Sequence, residues 1–162
     1  MKKILSFIVF LFVFILSTSC AKESKINVEK DLFLLSYEAV YEKDGSYTLS
    51  NLYASSIDPI GDIYNTYVEK DVIRYSSTNA VLWQYTLSGY FTVNKGISCE
   101  CYDASYKYNI NDSNWIVSNC STTYYDNAAN GKGTFKQNFL FLTTKIMEID
   151  LYLSCDKYGN FS

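Results

Sequence analysis

The sequence predicts an all-β domain, an antiparallel β-sandwich or small barrel, with one short helix on its N-terminal side. Three observations carry that expectation. Segments in which apolar and polar residues alternate recur through the second half of the chain, each bounded by Asn, Asp or Gly. No stretch between them has the length and period of the helix that a parallel crossover needs. The composition is that of a packed protein: 48% hydrophobic, 17% aromatic, with one proline and seven glycines in 162 residues.

The chain divides into three parts. Met1-Lys2-Lys3 is a short cationic start, Ile4 to Leu16 is apolar apart from Ser6, and small polar residues lead to Cys20 and Ala21. This reads as an export signal over residues 1–19, alternatively 1–21. The apolar run is shorter than the roughly 20 residues that cross a bilayer; counted through to Ala21 it would serve as an uncleaved anchor. The segment Leu16-Ser17-Thr18-Ser19-Cys20 resembles the bacterial lipoprotein signal, which implies acylation of Cys20 and attachment to a membrane. It departs from that pattern in carrying Ser17 where an aliphatic residue is expected. The rival is cleavage after Ala21, with Ser19 and Ala21 as the small pair. Either route leaves four cysteines, an even number. A cysteine at the end of a signal favours the lipid. Residues 20–30 are mostly polar and read as a tether, and residues 31–162 as a single β-rich domain.

Within the domain, Leu32, Leu35, Ala39 and Val40 fall at helical spacing, so Asp31 to Glu42 is read as the short helix, although Phe33, Tyr37 and Tyr41 suit a strand. Strands are expected at Ser46–Ala54 after the Asp44-Gly45 turn, and at Ile63–Tyr75 after the loop Asp58-Pro59-Ile60-Gly61. In Trp83 to Val93 one parity holds Trp83, Tyr85, Leu87, Gly89, Phe91 and Val93 against a polar opposite parity. Further strands follow at Ile97–Asn109 and Trp115–Tyr125, then one carrying Phe135, Phe139 and Phe141. In the last, Met147, Ile149, Leu151, Leu153 and Cys155 alternate with Glu148, Asp150, Tyr152 and Ser154. Residues 31–75 would then supply the layer that covers the apolar face of these five strands.

Charge and chemistry exclude more than they assign. Loss of Lys2 and Lys3 with the signal leaves 12 basic against 17 acidic side chains, moving the formal charge from -3 to -5. Arg74 is the one arginine, so a phosphate-tracking surface is not expected, and nucleic acid is not an expected partner. With no histidine, Ser-His and Cys-His catalysis and histidine-ligated metals are excluded. No motif implies a cofactor.

Three groups remain as candidates. Cys99, Cys101, Cys120 and Cys155 suit two disulfides in an oxidising compartment, one of Cys99 and Cys101 bonding to Cys155 and the other to Cys120. A thiol-only metal site or redox pair is the alternative, but a second paired motif is missing. Tyr102, Tyr106 and Tyr108 share a parity of one strand, with Tyr90 and Tyr124 on strands nearby. The part after the signal holds 16 tyrosines against 6 phenylalanines. Tyrosine joins an apolar face to a hydroxyl, which suits a protein- or glycan-binding surface. Glu148 and Asp150 face outward together and would be the acid and base of an envelope hydrolase if a cleft desolvated one of them. Asn109, Asn111, Asp112 and Asn114 offer oxygens without the ordered spacing of a calcium loop, and a turn accounts for them. Nothing marks the protein as an enzyme. The expected role is non-catalytic binding or structure at the cell envelope.

One resemblance covers residues 80–162. Trp83 to Asn94, the cysteine at Cys99 or Cys101, Asp112-Ser-Asn-Trp115, Gly131-Lys-Gly-Thr-Phe135 and Leu153-Ser-Cys155-Asp-Lys-Tyr-Gly159-Asn-Phe-Ser162 resemble a group of small exported β-domains of low-GC Gram-positive bacteria. The resemblance implies a secreted or surface-held β-domain with a disulfide reaching the last strand. It implies no catalytic or ligand residues, and Cys120 and the second cysteine of the Cys99-x-Cys101 pair depart from it.

Overall fold

The computed structural model describes residues 31–55 and 61–162. The signal, the tether with Cys20, and the Asp58-Pro59-Ile60 part of the second loop lie outside the described residues. Eight antiparallel strands follow one another: β1 (Leu32–Tyr41), β2 (Tyr47–Ser55), β3 (Ile63–Tyr75), β4 (Val81–Asn94), β5 (Ser98–Ile110), β6 (Trp115–Tyr125), β7 (Ala128–Phe139) and β8 (Leu142–Ser154). They form a five-stranded sheet in the order β1-β2-β3-β4-β5 and a three-stranded sheet β6-β7-β8. The fold is therefore all-β, a two-sheet sandwich.

Two expectations are corrected. The Asp31–Glu42 segment is not a helix but strand β1, paired with β2 from Leu32↔Ser55 to Tyr41↔Tyr47. A bulge between Leu34 and Ser36 leaves Leu35 without a partner position and reverses the phase of the side chains. That break turns a period of two into an apparent helical spacing. The layers also divide elsewhere. Residues 31–75 do not cover the later strands; β3 pairs with β4 from Ile63↔Asn94 to Tyr75↔Val81, so they continue the same sheet. The chain changes layer between β5 and β6, where the Asn111 and Asp112 N–H groups donate to the Leu82 carbonyl.

The core lies between β3–β5 and the three-stranded sheet. Trp83, Tyr85, Leu87, Phe91 and Val93 are fully buried on one face of β4, against Phe135 and Leu153 of the other sheet. Trp83 stacks on Phe135 with ring centroids 4.1 Å apart, and Trp115 meets it edge-on at 5.9 Å. Burying an aromatic or aliphatic side chain of this size stabilises by about 1.5–3 kcal/mol. The two sheets pack tightly at Gly131, where a Cβ would lie 2.8 Å from Tyr85 Oη and 2.9 Å from Leu87 Cδ1. A larger residue there would have to displace both side chains.

A disulfide joins Cys99 on β5 to Cys155 just beyond β8, with Cα atoms 6.0 Å apart, and so ties the two sheets at one end of the sandwich. The second expected bridge is not formed: no bond joins Cys101 to Cys120. Cys101 stays near the disulfide end, its N–H donating to the Asp126 carbonyl in the β6–β7 turn. Cys120 lies six residues back along β6 from that turn, roughly 20 Å of strand. At the opposite end the sheets are held by charge. Arg74, only 2% exposed, pairs with Glu42, whose other carboxylate oxygen takes Lys145 from β8.

Candidate functional site

The tyrosines expected on one strand face are divided between two faces. Tyr90 pairs with Asp103 and Phe91 with Cys101, so Tyr102 is an extra residue in a bulge. Beyond the bulge the parity is that of the core: Tyr106 pairs with Leu87, Tyr108 with Tyr85, and both pack against the buried cluster. Tyr106 stacks on Tyr85 with centroids 6.0 Å apart. Tyr102 instead turns to the outer face of the five-stranded sheet, where its ring lies 6.1 Å from Tyr90.

On that outer face a second set of tyrosines forms. Tyr67 on β3 pairs directly with Tyr90 on β4, their ring centroids 4.8 Å apart. Tyr67, Tyr90 and Tyr102 therefore make a row across three adjacent strands. They line a shallow open pocket of about 270 Å³ whose other walls are Asp31, Ser55, Asn65 and Thr66. Thr92 Oγ1 donates to Asn65 Oδ1 at 2.7 Å. Tyr102 is the most solvent-facing of the three rings, 45% exposed, and Tyr90 and Tyr67 are half-buried.

Behind the row the sheet carries polar side chains that are covered from solvent: Glu69, Asp71, Thr86 and Ser88 are all buried. The Tyr67 hydroxyl is hydrogen-bonded to the Glu69 carboxylate and lies 2.9 Å from Ser88 Oγ. Lys107 reaches from β5 to Glu69 Oε1 at 3.0 Å. Burial, with the Glu69 carboxylate beside it, pushes the Tyr67 phenol well above its ordinary range. Tyr67 is thus a neutral, fixed ring. Asp71 accepts from Gln84 Nε2 at 3.1 Å, and burial raises its carboxyl above the usual range. Glu69 and Asp71 lie beneath the surface and do not line the pocket. Glu69 holds the Tyr67 end of the row in place through the phenol hydroxyl.

The carboxylates singled out by the sequence are placed differently. Glu148 and Asp150 are exposed on the outer face of the three-stranded sheet. Asp150 accepts from Asn130 Nδ2 at 2.7 Å and pairs with Lys132 at 3.3 Å, contacts that hold its carboxyl below the usual range. Both side chains are solvated, and neither lies in the cleft beside an apolar wall that a hydrolase built on them would need. Asp112 Oδ1 accepts from both the backbone and the side-chain amide of Asn114 at 2.9 Å, the geometry of a turn. Among the described residues no group of three or more Cys, Asp or Glu side chains converges on a metal position.

Sequence reasoning passed over Tyr67, Glu69 and Asp71. The signal was present, since all three share a parity of β3 opposite Val68 and Val72. The chain matches no protein-family model, no curated protein and no solved structure at a significant level.

Proposed function

We propose that the protein is an exported, envelope-held β-sandwich that binds a glycan, without catalysis, on the outer face of its five-stranded sheet. The row Tyr67–Tyr90–Tyr102 beside Asn65, Ser55 and Asp31 carries this reading. Aromatic faces accept the C–H face of a sugar ring, while the amide, hydroxyl and carboxylate at the rim suit its hydroxyls. Preorganisation supports it too, because Glu69 and Ser88 fix the Tyr67 hydroxyl before any ligand arrives. Export is supported by the signal-like N-terminus and by a disulfide of the kind that persists in oxidising compartments. In this reading an acyl group on Cys20 holds the domain at a membrane through the polar tether.

The test is a titration of residues 22–162, which contain all eight strands, with soluble oligosaccharides released from cell envelopes. Tyr90→Ala and Tyr102→Ala are each expected to weaken binding by about tenfold or more, as the loss of a stacked ring costs on the order of 1–3 kcal/mol. Undiminished binding by the double variant, or saturable binding of an envelope protein and no oligosaccharide, contradicts the reading.

A further inference from the structure

The β7–β8 hairpin ends in four consecutive large apolar residues that touch almost nothing. Phe139 is 65% exposed, Leu140 74%, Phe141 103% and Leu142 70%. Phe139 pairs with Leu142, so Leu140 and Phe141 form a two-residue turn, and both have positive φ, 46° and 70°. Such turns are made at least cost by Asn-Gly, because side chains with a Cβ resist that conformation. Here the strained positions carry a leucine and a phenylalanine. Fold stability favours neither the residue type nor its exposure.

The tip is also held rigidly. Thr143 Oγ1 donates to Asn138 Oδ1 at 3.0 Å, Thr144 Oγ1 donates to the Gln137 carbonyl at 3.2 Å, and the Asn138 N–H donates to the Asn114 carbonyl at 2.7 Å. From Gln137 to Thr144 no residue is charged, and the first charges on either strand are cations, Lys136 and Lys145.

We infer that this hairpin tip is a membrane-insertion element that seats in the interfacial region of a lipid bilayer. Apolar side chains occupy both strand ends and the turn, so the tip as a whole, and not one side of the ribbon alone, offers apolar surface to a bilayer. The dimensions agree: Leu140 stands four residues beyond Lys136, about 13 Å of strand. Interfacial elements enter by about 5–10 Å, which leaves Lys136 at the level of the headgroups, while Lys145 stays paired with Glu42. Leu32, where β1 begins, lies at the other end of the sandwich from the tip, since Tyr41 and Glu42 are the residues of that segment beside Lys145. The tip is therefore remote from the point at which the described domain begins.

The test is co-sedimentation of residues 22–162 with vesicles of phosphatidylethanolamine and phosphatidylglycerol. The double variant Leu140→Asn, Phe141→Gly installs the residues that the turn geometry prefers, so it keeps or raises the unfolding midpoint. It is expected to lower vesicle partitioning by about tenfold or more. Lys136→Gln is expected to weaken binding to the anionic vesicles several-fold and to leave binding to phosphatidylcholine vesicles unchanged. Equal partitioning of the wild type and the double variant overturns the inference, as does a wild type that ignores every vesicle. A wild type that instead dimerises through the tip, shown by sedimentation velocity without lipid, also overturns it and gives the tip to a second copy of the chain.

Discussion

Arg74 Nη1 lies 2.8 Å from Glu42 Oε1, and the other oxygen of the same carboxylate takes Lys145 of the opposite sheet at 2.5 Å. One carboxylate thus joins the two layers at the end away from the disulfide. The arginine also donates to Thr48 Oγ1 at 3.2 Å and to Ser46 Oγ at 2.5 Å. Its burial is possible only because these oxygens replace water.

Glu42→Gln is expected to destabilise the fold by about 2 kcal/mol, less than a fully buried pair because the glutamate is a third exposed. The hydrogen bond from Lys145, then Arg74, holds the Glu42 carboxyl below its ordinary 4.5, against an opposing effect of burial. A lowered folded-state value contributes stability above the unfolded value and loses it as pH falls through the folded one. Denaturant midpoints of wild type and variant should therefore converge as the pH drops below about 4.5.

Asp71 has the opposite sign. Burial, reinforced by the Glu69 charge, raises its carboxyl above the ordinary 3.8. A raised value contributes stability that is full below 3.8 and lost as pH rises through the folded-state value. Asp71→Asn should then stabilise the fold at pH 7 and be indistinguishable from wild type in strongly acidic solution, as read from urea unfolding at both pH values.

Removing the disulfide by Cys99→Ser or Cys155→Ser should cost about 4 kcal/mol, the chain-entropy value for a closed loop spanning 56 residues. Cys101→Ser should cost far less than that. Its thiol is buried, and burial pushes it up and away from the reactive thiolate. Alkylation of the folded protein should leave Cys101 unmodified until denaturant is added.

The bulge at Tyr102 separates two roles that the sequence merges. Tyr106→Ala should lower stability by about 2 kcal/mol, since the ring packs on Tyr85. Tyr102→Ala should change stability far less, its ring being 45% exposed on the outer face. Thermal unfolding of the two variants measures the difference directly.

Strands with one buried and one solvated face were legible. Alternation from Trp83 to Val93 and from Met147 to Cys155 named β4, β8 and most of the core. What failed did so at bulges, where one extra residue reverses every later side chain. Leu35 made β1 look helical, and Tyr102 made a three-tyrosine stripe where two of the rings face inward. The buried polar layer was hidden for another reason. Glu69 and Asp71 stand on the parity that a sequence assigns to water, and only the neighbouring side chains of β4 and β5 cover them. The exposed Phe139 and Phe141 were assigned to one apolar strand face with Phe135, because pattern alone does not show where β7 ends and the turn begins.

Non-reducing peptide mapping of the protein taken from its native cells tests the account most directly. A polypeptide starting at an acylated Cys20, with Cys99 and Cys155 recovered as one cross-linked peptide and Cys101 recovered as a thiol, is the predicted result. A chain still starting at Met1 with Cys99 and Cys155 both alkylated as thiols would contradict it.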